Sequence, residues 1–85
     1  MNNEKANNEM ILNNLKIHLE NELSQCKQSI YTYKWYTKTD ILNDRNRAFG
    51  SVLFAIRLSN TIQLSNEIMA LWNDYYLNEY NKLID

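Results

Sequence analysis

The stretch from Ala48 to Leu64, AFGSVLFAIRLSNTIQL, constrains the rest of the chain most. It holds no acidic residue and a single Arg. Laid on a helix, Ile41, Phe49, Val52, Leu53 and Ile56 share one broad face, with Ala48, Ala55 and Ile62 along its flank. Phe54 and Leu58 fall almost opposite. A helix apolar on two sides needs cover on two sides. The stretch therefore predicts a central helix packed between an N-terminal and a C-terminal helix, or between its own chain and a second copy.

The chain has few means of turning other than at helix ends. Gly50 is its only glycine, and it has no proline. Tight hairpins and phosphate-cradling loops depend on Gly at positive φ, which argues against sandwiches, Rossmann units and P-loops together. With 45% hydrophobic and 22% charged residues, the composition is that of a folded domain. A chain of 85 residues buries a modest fraction of its surface, so sharing a core with a second copy is an expectation. The lone Cys26 has no partner for an internal disulfide and fits a reducing compartment. No apolar run approaches the roughly 20 residues of a membrane span, and no leader is recognisable. These features predict a cytoplasmic protein that does not cross a membrane. Frequent, often doubled Asn beside Lys, Ile and Tyr suggests an AT-rich coding sequence, as in a low-GC bacterium or its phages and mobile elements.

Three helices follow from the periodicity. Leu12, Leu15, Leu19, Leu23, Cys26, Ile30 and Tyr33 recur at intervals of three and four and predict a helix over about 9–33. Met10 and Ile17 lie beside that seam and are expected to widen it. Thr37 as N-cap, Asp40 at N3, and Tyr36 stapling onto Ile41 predict a second helix over about 38–60. Asn60 is expected in the left-handed conformation that ends it. A third helix over about 65–84 starts with Ser65 as cap, Leu64 stapling onto Met69, and a seam of Met69, Trp72, Tyr76, Tyr80 and Leu83. The fold class is all-α: a three-helix up-down-up bundle, or a long helical hairpin if the second and third helices join, with dimerisation into a larger bundle as a further expectation.

No constellation of catalytic residues emerges. His18, the only histidine, faces the polar side of the first helix, away from Cys26 on the seam. His18 with Glu22 is too small a ligand set for zinc. Glu20 with Glu22, and Asp40 with Asp44, are the nearest paired carboxylates, and neither pair has an apolar setting that would separate their pKa values. Asp40 reads as a helix-start residue and Asp44 as a solvated one. The chain is expected to be no enzyme, with no cofactor and no metal.

Charge is zoned. Residues 24–66 carry Lys27, Lys34, Lys38, Arg45, Arg47 and Arg57 against Asp40 and Asp44, while both ends are acidic. Large rings are numerous, and aromatics with Arg carry binding energy at protein interfaces. The expected function is a small interaction module, an inhibitor, immunity factor or regulatory adaptor acting on a protein target. Trp35, Tyr36, Arg45, Arg47, Phe54 and Arg57 are its candidate partner-binding residues. The alternative is nucleic-acid binding through the basic middle, where Tyr31, Tyr33, Trp35 and Tyr36 lie among lysines, although a pI near 5.7 opposes strong phosphate attraction.

The Tyr75-Tyr-Leu-Asn-Glu79 stretch, in a small helical chain with a mid-chain Trp, is similar to the YxxxD/E signal of short secreted partner proteins of the WXG type. That resemblance implies a secretion-type protein that travels with a larger helical partner. Trp35 is followed by Tyr36 and Thr37, not by x-Gly, so the defining motif is missing and the family is not assigned.

Overall fold

The computed structural model describes the backbone of residues 2–85 and the side chains of residues 7–85. The fold is all-α, with no strand among the described residues. Helix α1 spans Asn2–Thr32 and α2 spans Lys38–Leu58. The third helix, α3, is α-helical over Ile62–Leu71, opens into a π-helical turn at Trp72–Tyr76, and closes as α-helix over Leu77–Ile84. Together they form an up-down-up bundle of about 51 × 17 × 17 Å. In it α2 packs against both α1 and α3.

Helix α1 starts several residues earlier than its apolar seam suggests. Once a helix is nucleated, each further residue adds a hydrogen bond for one residue fixed, so a polar segment can extend it. Leu15, Leu19, Leu23 and Cys26 are buried, with Ile11, Leu12 and Ile30 packed alongside. Met10 and Ile17 do not widen the stripe, since both face water. Tyr33 lies outside the helix and nearly half exposed, its N–H bonded to the Ser29 carbonyl at 2.9 Å.

The start of α2 is the reciprocal cap that its sequence predicts. Asp40 N–H donates to Thr37 Oγ1, and Thr37 N–H donates to Asp40 Oδ2 at 2.8 Å. Its buried stripe is Ile41, Asp44, Ala48, Val52 and Ala55. The helix ends at Ser59 in extended backbone, with the Ser59 N–H on the Ala55 and Ile56 carbonyls and its hydroxyl on Ile56 O. Asn60 is not left-handed, for no described non-glycine residue has positive φ. This break keeps α2 and α3 separate and sets aside the long-hairpin alternative.

Thr61, not Ser65, caps α3, its hydroxyl accepting from Leu64 N–H at 3.1 Å. Ser65 sits inside the helix and shares a hydrogen bond with Ser59 across the turn. Leu64, expected just outside the helix, is core.

The buried seam of α3 is Leu64, Ile68, Trp72, Tyr76 and Tyr80, each four residues from the last. A regular α-helix advances about 100° per residue, so four such steps would swing the stripe about 160° off the core. The π turn, in which Leu77 N–H reaches back to Trp72 O, contains one extra residue and turns the stripe back by about 100°. Tyr76 and Tyr80 thereby return to the face that Leu64 and Ile68 occupy. Around Trp72 the rings of Phe49 and Tyr80 pack tilted, with centroids 5.5 and 6.1 Å away.

Candidate interaction surfaces

The structure distributes the six candidate partner-binding residues over three places. Trp35 and Tyr36 lie at the α1–α2 connection. Arg47 and Phe54 line a groove between α1 and α2, with Arg57 further along α2. Arg45 points to the other side of α2, where Nη1 donates to Asn81 Oδ1 of α3 at 2.9 Å. There it borders a concavity of about 330 Å³ shared with Asn46, Phe49, Trp72 and Leu77 beside the π turn.

Below the α1–α2 connection lies a polar node. Asp44 is only 5% exposed, contrary to its expected solvation. It lies three residues after Ile41 and four before Ala48 on the buried stripe, and a carboxylate there needs partners. It accepts from the Tyr36 hydroxyl and from Arg47 Nη2 at 2.9 Å, while Arg47 Nε donates to Glu22 Oε2 at 3.3 Å. Arg47 therefore links α2 to α1 with two carboxylates.

Cys26 and Tyr80 complete the interior near this node, both buried. Burial first, then the Asp44 carboxylate, pushes the Cys26 thiol up to about 12, so the thiolate is suppressed. Burial likewise holds the Tyr80 hydroxyl above its ordinary range, and that hydroxyl has no hydrogen-bond partner. Tyr76 donates to Glu20 Oε2 at 2.8 Å, and burial with that carboxylate raises its pKa too. No group of three or more His, Cys, Asp or Glu is placed to hold a metal ion among the described residues.

The α1–α2 groove has a volume of about 510 Å³. Ile11, Asn14, Leu15 and His18 form its α1 wall, and Arg47, Gly50, Ser51, Phe54, Ala55 and Leu58 its α2 wall. Among the described residues, no carboxylate lines it. Phe54 is 63% exposed and Leu58 50% exposed, so α2 is covered from the core side alone and not from both sides. Gly50 lies in the helix interior, and a Cβ at that position would meet nothing within 4 Å. The α1 wall was missed in the sequence because the α1 periodicity marks only the core stripe; the exposed flank of that stripe has no periodic signal.

At the α1–α2 connection, Tyr36 N–H bonds to Tyr33 O at 3.1 Å and closes a turn that stacks Tyr33 on Trp35, with centroids 4.9 Å apart and planes at 26°. Trp35 is 66% exposed. Tyr36 is half-buried and tethered by its hydroxyl to Asp44.

No protein-family model, curated protein or solved structure matches this chain. Among the described residues, no helix is long and apolar enough to cross a membrane.

Proposed function

We propose that this chain is a non-enzymatic interaction module, an inhibitor, immunity factor or regulatory adaptor, whose α1–α2 groove takes a helix of a target protein. The observation that carries this reading is the uncovered back of α2: Phe54 and Leu58 stand open to water beside an unfilled helical glycine. Burying an apolar side chain of this size gains about 1.5–3 kcal/mol, so covering both is a substantial contribution to binding. Gly50 in a helix interior costs about 1 kcal/mol relative to Ala. Among the described residues no contact offsets that cost, whereas a partner laid in the groove would use the space. Small helical modules bind in this way by accepting an amphipathic helix whose anchors fall at i, i+3, i+4 and i+7.

The test is affinity capture with the intact chain and with Phe54→Asp, read by light scattering of the recovered complex. A target protein held by the intact chain and lost by Phe54→Asp supports the reading. Capture unaffected by Phe54→Asp contradicts it, and so does a particle of twice the chain mass with no second species, which would assign the groove to a second copy.

A further inference from the structure

We propose that the Tyr33–Trp35 stack is a second binding surface, separate from the groove, that takes a short run of single-stranded nucleic acid. Nine residues of α2 separate Lys38 from Arg47, where the α2 wall of the groove begins, and sixteen separate it from Phe54, which is about 14 and about 24 Å of helix. The two surfaces therefore have room to act independently.

Three observations support the nucleic-acid assignment. First, the rings are preorganised. The turn bond between Tyr36 and Tyr33 fixes the stack, and the Tyr36 hydroxyl on Asp44 moors the neighbouring ring, whose centroid lies 5.9 Å from that of Trp35. Ordering costs are thus met before any ligand arrives. Second, the rings serve the core little. Trp35 is two-thirds exposed, Tyr33 is nearly half exposed, and Tyr31, close by in sequence, is 89% exposed. Third, Lys34 and Lys38 flank Trp35 in sequence, both exposed and neither in an ion pair among the described residues. Asp40, the nearest acid in sequence, is already engaged with the Thr37 amide and hydroxyl. Open ring faces with unpaired cations beside them complement a base and its phosphate. A protein partner would also cover the rings, but lysine is depleted at protein interfaces, whereas it is the residue that neutralises a phosphate backbone.

The chemistry sets a quantitative expectation. Two lysines on single-strand phosphates give a slope of about −1.4 in log K against log salt, or roughly 25-fold weaker binding for each tenfold rise in salt. The experiment titrates the full chain with an oligothymidylate of about eight nucleotides and follows Trp fluorescence. Trp72 is buried, so the expected quenching comes from Trp35. Quenching with that slope, weakened in Tyr33→Ala, which keeps the Trp35 reporter, with a slope near zero in Lys34→Ala/Lys38→Ala and no change in Phe54→Asp, supports the surface. Absence of quenching at low salt overturns it. So does quenching that ignores salt and both lysines, or quenching that Phe54→Asp abolishes. The far-ultraviolet circular dichroism of each variant, expected to match the parent, separates loss of binding from loss of fold.

Discussion

The hydroxyl of Tyr36 donates to the buried carboxylate of Asp44, eight residues further on, and so ties the α1–α2 connection to the interior of the bundle. The same carboxylate accepts from Arg47, which reaches across to Glu22 of α1. The partners are unequal. Arg47 is mostly solvated, so its bridges contribute little, whereas Asp44 is enclosed.

Removing Asp44 should therefore cost more than removing Arg47. Asp44→Ala is expected to lose about 2–3 kcal/mol, Tyr36→Phe about 1–2 kcal/mol, and Arg47→Ala less than about 1 kcal/mol. Urea unfolding of the three variants at neutral pH measures this ordering. Equal losses for Asp44→Ala and Arg47→Ala would contradict it.

Gly50→Ala should stabilise the chain. The site is helical and exposed, its φ is not positive, and a Cβ meets nothing within 4 Å. The expected gain is about 0.5–1 kcal/mol from helix propensity and the reduced entropy of the unfolded chain. Thermal unfolding gives the sign directly. The same substitution should weaken target binding, because it fills space in the α2 wall of the groove.

The π turn predicts an unusual tolerance. Deleting the exposed Asn73 leaves enough residues for a regular α-helix and keeps Tyr76 and Tyr80 on the face of Leu64 and Ile68. The expected change in stability is within about 1 kcal/mol. Deleting the exposed Asn46 from α2 has no such slack, and rotates Ile41 and Asp44 about 100° away from Ala48, Val52 and Ala55. Circular dichroism melts of the two deletions should show a folded protein for the first and an unfolded one for the second.

Stability should fall in alkali. Burial raises the folded-state pKa of Cys26 from 9.0 to about 12, and also raises those of Tyr36, Tyr76 and Tyr80. Such groups hold their protons more tightly when folded. Their contribution is complete below the unfolded-state pKa and is lost as pH rises toward the folded value. Each titrating group adds a slope of up to about 1.4 kcal/mol per pH unit. Urea unfolding from about pH 9 upward should show a steady decline, shallower for Cys26→Ser by one group's share. An unchanged slope in that variant would show that the thiol takes no part.

Local features were the legible ones. The Thr37–Asp40 cap and the α1 seam are set by residues three or four apart, and the sequence displays them directly. The start of α3 was misplaced because both Thr61 and Ser65 offer a hydroxyl, and burial of Leu64 in the core decided for Thr61. The π turn is written only as a repeated spacing of four through Trp72, Tyr76 and Tyr80, which a reading in whole α-turns absorbs unnoticed. Asp44 sat visibly on the Ile41–Ala48 stripe, but its partner Tyr36 is brought over by the turn between helices. Of the candidate site, Phe54 and Trp35 were identifiable as large rings, whereas the internal engagement of Arg45 with Asn81 and of Arg47 with Glu22 depends on residues far away in sequence.

The groove is tested most directly by placing a photo-cross-linking phenylalanine analogue at position 54, with Asn73 on the far helix as control, and irradiating the chain in its source cells. A groove that receives a target helix should give one adduct of defined mass from position 54 and none from position 73, at a mass that two copies of the chain do not explain. Equal labelling from both positions, or an adduct consisting only of the chain with itself, would contradict a target-binding role for the face of α2 that bears Phe54.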